Sequence, residues 1–309
     1  MGRRSKIIIL ILVLLGLSLS VFALSEEITA FKRMVYSYFR AETTAETEAQ
    51  DDSEETEALE QLYDAFPPFS HAEDAWYWDN RLVYHAGGGV DGITYTNSRE
   101  AVEENLSKGN VMEIDFFYTS DHHLVCIHSW GYITGSEEPM TAEEYENYKI
   151  YSKYTTMDAE DVIELMKENP ELYVIIDTKE EDSVSVIREL IDLAGDRTDV
   201  VDRYIIQLYD RGIKAQLMEI YPFAQENFLF TCYKYGVEPN QILQICMEEG
   251  ISVVTVEYNV WSADIIQLFT RKGILIFEHT LNRPDQMINA LDRGVHGIYT
   301  DFLTDLPLG

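Results

Sequence analysis

Cysteine is scarce in this chain of 309 residues, which contains three: Cys126, Cys232 and Cys246. The number is odd, and no Cys-x-x-Cys pair or Cys/His spacing typical of a zinc site occurs. All three lie in apolar stretches, where a thiol behaves as a small hydrophobic side chain. We therefore expect neither a disulfide framework nor a zinc site.

Basic residues are also few, with 23 lysines and arginines against 55 aspartates and glutamates. The formal net charge of -32 repels nucleic acids and anionic membrane surfaces, so neither is expected as a direct partner. The same acidity is compatible with the binding of a cation.

Charged residues are missing altogether from Ile7 to Leu24, an apolar run that follows the basic segment MGRRSK. The run is just long enough to cross a bilayer, and its basic flank predicts a cytoplasmic N-terminus. We expect an uncleaved transmembrane signal-anchor over residues 1–24, with a signal peptide cleaved after Ala23 as the alternative. Either interpretation places the remaining chain outside the cytoplasm, on a single-pass membrane protein or, after cleavage, on a secreted one.

Large apolar residues are sparse in the acidic stretch AETTAETEAQDDSEETEALEQ, which begins at Ala41. Such a segment cannot bury enough apolar surface to offset the entropy of ordering, and its like charges repel one another. We therefore expect residues 25–64 to form a juxtamembrane segment and a disordered linker, and residues 65–309 to form one folded domain.

Short β-type runs alternate with amphipathic helical patterns from Arg81 onward. The helical patterns carry Ser, Asp or Pro near their starts and Gly or Pro at their ends. Eight β-type runs occur: RLVYHA (81–86), VMEIDFF (111–117), LYVIIDT (172–178), RYIIQLY (203–209), NFLFTCY (227–233), ISVVTVEY (251–258), ILIFEHTL (274–281) and HGIYTD (296–301). The series predicts an α/β fold of the (β/α)8 TIM-barrel type, with a doubly wound open sheet as the alternative.

Three segments do not follow this alternation. HHLVCIH (122–128) comes four residues after the second run and is predicted to pair with it as a hairpin. The stretch from Gly131 to Met157 lacks clear periodicity and is interpreted as an insertion that walls the site. DAWYWDN (74–80) precedes the first strand, and we expect its aromatic side chains to plug the bottom of the barrel.

Carboxylates interrupt two of the apolar runs close to their C-terminal ends, where the active sites of TIM barrels gather. Glu113 and Asp115 are two residues apart, so their side chains point to the same side of the strand. Asp177 and Lys179 repeat this spacing on the next strand. Three carboxylates at one mouth suit a hard cation such as Ca²⁺ or Mg²⁺, which binds oxygen ligands. We predict Glu113, Asp115 and Asp177 as the metal ligands.

Histidines follow two of the same strands. His85 ends the first run, and three glycines close behind it would let a ligand approach the backbone; His128 ends the predicted hairpin. We expect this pair to flank the cation as general acid and base. The other polar residues at predicted strand ends are Gln207, Tyr209, Tyr233, Glu257, Glu278, His279 and Asp301.

The segment from His85 to Trp130 resembles the signature region of the glycerophosphodiester phosphodiesterases, relatives of the phosphatidylinositol-specific phospholipases C. That family carries the motifs His-Arg-Gly, Glu-Asn-Thr, Glu-x-Asp, His-Asp and Glu-x-Lys. The corresponding residues here are His85-Ala86-Gly87, Thr96-Asn97-Ser98, Glu113-Ile114-Asp115, His128-Ser129 and Asp177-Thr178-Lys179. EHTLN (278–282) and GIYTD (297–301) are similar to the family's last two strands, so the resemblance spans residues 81–305.

The resemblance implies metal-dependent hydrolysis of glycerophosphodiesters to glycerol 3-phosphate and an alcohol. It implies His85 and His128 as the acid/base pair, Glu113, Asp115 and Asp177 as ligands of Ca²⁺ or Mg²⁺, and Lys179 as a phosphate-binding residue. Asn97, Glu257 and His279 are further candidates for substrate binding. The expected partner is a glycerophosphodiester or a lysophospholipid-type small molecule.

Four positions depart from the family motifs. Ala86 replaces an Arg, Ser129 replaces an Asp, Asp177 replaces a Glu and Thr96 replaces a Glu. The His-Ala-Gly-Gly opening indicates a variant subgroup. Two alternatives to the hydrolase stay open: a catalytically weak barrel that binds a ligand, and an enzyme of the phospholipase C or D type that acts on intact lipid.

Overall fold

The computed structural model of the chain describes Tyr63, residues 66–232 and residues 238–305. The predictions for residues 1–24, nearly all of those for 25–64, and the strand-end candidate Tyr233 lie outside the described residues. In the part of the chain that the structure covers, no helix combines the length and the apolar character needed to span a bilayer.

Eight parallel strands form the centre of the fold, and each corresponds to one of the predicted runs. The strands of the described residues are β1 (Leu82–Tyr84), β2 (Val111–Tyr118), β3 (Leu124–Cys126), β4 (Lys149–Ile150), β5 (Tyr154–Thr155), β6 (Tyr173–Thr178), β7 (Tyr204–Leu208), β8 (Phe228–Cys232), β9 (Val253–Glu257), β10 (Leu275–His279) and β11 (Gly297–Thr300). Three of these, β3, β4 and β5, lie outside the set of eight parallel strands. β1 pairs in parallel with both β11 and β2, which closes the sheet. The predicted TIM barrel is therefore confirmed, and the open sheet is excluded.

Helices cover the outside of the barrel. In the described residues they are α1 (Arg99–Leu106), α2 (Trp130–Thr134), α3 (Ala142–Glu146), α4 (Ala159–Glu168), α5 (Ser183–Ala194), α6 (Thr198–Val201), α7 (Ile213–Ile220), α8 (Pro239–Glu249), α9 (Ala263–Arg271) and α10 (Pro284–Asp292). Side chains of Ser98, Asp158 and Ser262 accept hydrogen bonds from backbone N–H groups at the starts of α1, α4 and α9. These caps satisfy donors that a helix leaves unpaired, which fixes where each helix begins.

The predicted hairpin is present, because β3 pairs antiparallel with β2 through Phe117 and Val125. The following insertion folds over it as α2, α3 and the two-stranded sheet of β4 and β5. Buried apolar side chains, among them Trp130, Ile133 and Tyr145, give this part of the molecule a core of its own. The hairpin and the insertion therefore form a stable wall along one side of the barrel mouth.

Aromatic side chains close the opposite end of the barrel. Trp76 and Tyr77 are buried against Val83, Val111 and other residues near the N-terminal ends of the strands. Burial of side chains of this size stabilises the fold by roughly 1.5–3 kcal/mol each. The predicted plug of the barrel bottom is confirmed, and it leaves the C-terminal ends of the strands as the open end.

Candidate active site

Three carboxylates meet at the open end of the barrel. Glu113 and Asp115 point inward from β2, and the strand register places Asp115 directly beside Asp177 of β6. Glu113, Asp115 and Asp177 each contribute an oxygen to a group whose atoms all lie within 4.8 Å of one another. All three residues are buried. We call these residues the acid cluster.

Lys179 lies across two members of the acid cluster. Its Nζ is 2.7 Å from Oδ1 of Asp115 and 2.5 Å from Oδ2 of Asp177. Burial lowers the pKa of the Lys179 ammonium, but Asp115 and Asp177 raise it well above the ordinary value. The residue expected to bind phosphate is therefore a charged ammonium that already bridges two carboxylates.

The charges within the acid cluster are unequal. Burial raises the pKa of Glu113 to about 8, and the neighbouring Asp115 carboxylate acts in the same direction. Burial also raises the pKa of Asp177. Burial alone would raise the pKa of Asp115, but Lys179 and the nearby histidines lower it below the usual value. Burial and the Asp115 carboxylate thus leave Glu113 inclined to hold a proton at neutral pH, although His85 and Lys179 act in the opposite direction.

The acid cluster fits a divalent cation. Oε2 of Glu113 accepts a hydrogen bond from the backbone N–H of Ala86 at 2.7 Å, whereas Oε1 is buried and has no hydrogen-bond partner among the described residues. A buried carboxylate oxygen without a partner is costly unless a cation or a proton satisfies it. A donor set made only of oxygens suits a hard cation such as Ca²⁺ or Mg²⁺.

His85 stands beside the acid cluster at the end of β1. Its Nε2 is 4.0 Å from Oε2 of Glu113, and its Nδ1 is 3.0 Å from Oδ1 of Asp301. Asp301 is itself held by Asn282, whose Nδ2 donates to the other carboxylate oxygen at 2.6 Å. Burial lowers the pKa of His85, but the hydrogen bond with Asp301 and the nearby carboxylates raise it to about 9. Asp301 thus fixes the imidazole with Nε2 facing the acid cluster.

His128 has different surroundings. Its Nδ1 is buried and has no hydrogen-bond partner in the described part of the chain, and burial lowers its pKa. The ring of Tyr95 lies edge-on to it, with centroids 4.7 Å apart. Ser129 stands where the family's His-Asp motif has Asp. Its side chain accepts a hydrogen bond from the N–H of Tyr132 and caps α2. His128 therefore contacts an aromatic ring, and the residue that follows it is used as a helix cap instead of as a carboxylate partner.

The side chain of Asn97 hydrogen-bonds a member of the acid cluster. Its Nδ2 donates to Oδ2 of Asp115 at 2.7 Å, while its Oδ1 accepts from the backbone N–H of Asp115 at 3.0 Å. Both ends of the amide are thus used to hold Asp115. The structure places this predicted substrate-binding residue behind a predicted metal ligand.

The two remaining substrate-binding candidates lie together on the rim. His279 ends β10, and its ring centroid is 4.9 Å from that of His85. Glu257 ends β9 directly opposite His279 in the strand register and is half-buried. Glu278 points the other way: its Oε2 accepts from Nη2 of Arg293 at 2.6 Å, which gives it a structural role.

Two tyrosines complete the site. The hydroxyl of Tyr209 donates to Oδ1 of Asp177 at 2.9 Å, and Nε2 of Gln207 lies 2.6 Å from that hydroxyl. Both residues were strand-end candidates. Tyr95 was not, because it lies in a loop, and the sequence offers no periodic signal there. Its position directly before Thr96-Asn97-Ser98 is the one indication that could have singled it out.

The fold is similar to those of several solved structures. A glycerophosphoryl diester phosphodiesterase from Parabacteroides distasonis is 19% identical, with a TM-score of 0.58 over 79% of this chain and 88% of its own. A glycerophosphodiester phosphodiesterase from Thermotoga maritima is 19% identical, with a TM-score of 0.54 over 75% of this chain and 96% of its own.

A third structure holds a ligand. It is a phosphodiesterase from Oleispira antarctica in complex with the product sn-glycerol-3-phosphate, 11% identical, with a TM-score of 0.57 over 74% of this chain and 95% of its own. No family model and no curated protein sequence matches the chain. At these identities the likeness establishes the fold: the chain shares the barrel of structures described as glycerophosphodiester phosphodiesterases, the family that its motifs resemble.

Proposed function

We propose that this protein is a metal-dependent hydrolase that converts glycerophosphodiesters to glycerol 3-phosphate and an alcohol. The observation that carries the proposal is the acid cluster, buried at the open end of the barrel with His85 beside it. The product-bound structure from Oleispira antarctica supports it, because that barrel of similar fold binds glycerol 3-phosphate.

Each residue has a role in this proposal. Glu113, Asp115 and Asp177 would hold the cation, which when bound supplies positive charge to a phosphoryl oxygen. Of His85 and His128, one takes a proton from the water that attacks phosphorus, and the other gives a proton to the leaving alkoxide, so that a P–OH bond replaces the ester bond to the alcohol.

The site is preorganised for this proton transfer. Asp301 hydrogen-bonds Nδ1 of His85, which leaves Nε2 on the side of the acid cluster. Asn97 fixes Asp115, and Tyr209 fixes one oxygen of Asp177. Such contacts spare the enzyme the cost of reorienting its groups during the reaction.

We propose an extracytoplasmic location for this activity, on a protein anchored by residues 1–24. The apolar run and its basic flank support this placement. Deacylated phospholipids, lysophospholipids and glycerophosphate polymers would then be accessible substrates. If the chain is anchored, it will stay with the membrane pellet after alkaline carbonate extraction, and mass spectrometry will find an intact N-terminus. Release together with a new N-terminus after Ala23 would support the secreted alternative.

A barrel that binds a ligand without efficient turnover is the second candidate. It is favoured by the Lys179 ammonium, which already bridges two of the three carboxylates, and by the absence of an arginine at position 86. In that case the cation and the phosphate ester would bind without hydrolysis.

The decisive assay uses the full-length chain with glycerophosphocholine, glycerophosphoinositol and a glycerophosphate oligomer, in EDTA and after re-addition of Ca²⁺ or Mg²⁺. We expect turnover that depends on the cation and releases glycerol 3-phosphate. His85→Ala and His128→Ala should each lower kcat by roughly 10²–10⁴-fold, the usual contribution of a general acid or base.

His122→Ala is the matched control, because His122 is exposed in the turn between β2 and β3. It should keep full activity. Near-normal activity in His85→Ala or His128→Ala would overturn the acid/base assignment. Cation and glycerol 3-phosphate binding without turnover of any diester would favour the binding barrel, and release of phosphocholine and glycerol from glycerophosphocholine would indicate that the other phosphoester bond is cleaved.

A further inference from the structure

Tyr95 lies between the two histidines of the proposed acid/base pair. Its ring centroid is 4.5 Å from that of His85 at an interplanar angle of 88°, and 4.7 Å from that of His128 at 68°. Both contacts are edge-to-face, a favourable arrangement of aromatic rings. The half-buried phenol makes no hydrogen bond with the described part of the chain. Its hydroxyl is thus a donor with free capacity inside the site.

The backbone at Tyr95 is unusual. Its φ is +61°, in the left-handed region that bulky side chains rarely adopt. The loop is nevertheless held in place, because the N–H of Asn97 donates to the carbonyl of Ala86 at 3.2 Å and so ties it to the turn that follows β1. Strained conformations that persist in this way are concentrated at functional sites.

Few basic side chains lie at the open end of the barrel to bind an anionic phosphodiester. Glu113, Asp115, Asp177 and Asp301 are all buried there. Lys179 is the one lysine or arginine that pairs with the acid cluster in the described ranges, and it already contacts two carboxylates. Position 86, where the resembling family has an arginine, is a fully buried alanine. An uncharged donor that no other group uses would add a hydrogen bond to a phosphoryl oxygen beside the charge supplied by the cation.

We propose that the Tyr95 hydroxyl donates a hydrogen bond to a non-bridging phosphoryl oxygen of the substrate, which lies between His85 and His128. The inference rests on the proposed function for the identity of the ligand. It assigns Tyr95 two tasks: the ring separates the imidazoles, and the hydroxyl binds the phosphoryl group.

Tyr95→Phe separates these tasks, because it keeps the ring and removes only the hydroxyl. The first readout is the Kd of the full-length protein for sn-glycerol 3-phosphate, measured by titration calorimetry in the presence of Mg²⁺. A hydrogen bond to a charged group is worth enough to raise Kd about tenfold or more when it is lost. We expect kcat/KM for the best diester to fall by a similar factor, with an unchanged pH profile because the ring contacts remain.

Tyr132→Phe is the matched control. Tyr132 is 56% exposed, and its ring centroid lies 5.8 Å from that of Tyr95, farther out on the rim. Its Kd should stay within about twofold of the wild-type value, below the change expected for loss of a hydrogen bond. Tyr95→Leu, which removes both ring and hydroxyl, should additionally alter the pH profile, because the two imidazoles would no longer be separated.

The outcomes separate this inference from the proposed function. A Kd of Tyr95→Phe within about twofold of the wild-type value overturns the role of the hydroxyl, even if Tyr95→Leu is impaired. If the wild-type protein binds glycerol 3-phosphate but hydrolyses no diester, the proposed function is overturned. The comparison of Kd values still decides the role of Tyr95 in that case. A wild-type protein that does not bind glycerol 3-phosphate overturns both.

Discussion

The carboxylate of Asp301 lies 3.0 Å from Nδ1 of His85, although 216 residues separate them in the sequence. His85 follows the first barrel strand and Asp301 follows the last, and these two strands are neighbours in the closed sheet. Asn282, after β10, holds Asp301 through its side-chain amide. Three consecutive strands of the barrel therefore determine the orientation of one imidazole.

Asp301→Asn should impair turnover while the fold persists. Asparagine keeps the size of the side chain, but it removes the negative charge that stabilises a protonated His85 and permits the wrong imidazole tautomer. We expect kcat to fall at least about tenfold, because acid/base catalysis contributes more than that. Steady-state kinetics on the preferred diester checks this, with Asp264→Asn, an exposed residue at the start of α9, as the control. Unchanged kcat in Asp301→Asn would show that His85 does not need this partner.

Glu113→Gln should abolish stabilisation by the cation. A cation that binds only the native state raises the melting temperature, and the amide cannot replace the buried carboxylate as a ligand. Differential scanning fluorimetry with EDTA, Ca²⁺ or Mg²⁺ measures this shift. The control is Glu160→Gln, because His123, Asp158 and Glu160 form a second, more exposed group whose ligand atoms lie within 4.8 Å. Loss of the shift in Glu160→Gln instead would place the cation on the outside of the barrel.

Lys179→Met should make stability depend strongly on the cation. Removing one partner of a buried ion pair leaves uncompensated charge, here on Asp115 and Asp177, at a cost of roughly 3 kcal/mol in the free energy of unfolding. Mg²⁺ should restore much of this loss, because it would take over neutralisation of the acid cluster. Urea unfolding in EDTA and in Mg²⁺ tests both statements. Lys153→Met, which breaks an exposed pair with Asp91, should have little effect in either condition. Equal stability of Lys179→Met and wild type in EDTA would contradict the prediction.

His296 should make the fold sensitive to mild acid. It packs against Tyr77 and Phe277 at the closed end of the barrel, and its Nε2 is 2.9 Å from the carbonyl of Tyr77. Burial lowers the pKa of His296 below the ordinary value of 6.5. Below that pH the unfolded chain binds a proton that the native protein excludes, so this contribution to stability is present above pH 6.5 and is lost as the pH falls.

His296→Gln tests this linkage by denaturant unfolding at a series of pH values around neutrality. The variant should lose less stability than the wild type between neutral and mildly acidic pH, because it lacks the titrating ring. His122→Gln, in an exposed turn, should follow the wild type. Parallel curves for His296→Gln and wild type would count against the predicted linkage.

The barrel could be predicted because burial dictates its sequence pattern. Strands covered by helices outside and packed side chains inside become short, nearly continuous apolar runs, as in β6 and β7. The same regularity indicated Glu113 and Asp115 as a pair facing one side, because side chains alternate along a strand. The hairpin of β2 and β3 followed from a short polar turn between two such runs.

The partners within the site could not be predicted in the same way. That Asp301 meets His85 depends on closure of the sheet, which no local pattern encodes. Asn97 holds Asp115, and Lys179 bridges two carboxylates. Both contacts depend on distances that only the folded chain fixes. Tyr95 was missed because it lies in a loop with left-handed backbone angles, where neither the helical nor the strand periodicity of apolar residues applies.

Closure of the barrel between β1 and β11 also has a consequence for biosynthesis. Leu82 pairs with Ile298, and the carboxylate that orients His85 comes from the segment immediately after β11. A nascent chain still attached to the ribosome has made almost all of the barrel before it can make this contact. The proposed activity should therefore be absent during synthesis and appear only when the last strand docks beside the first.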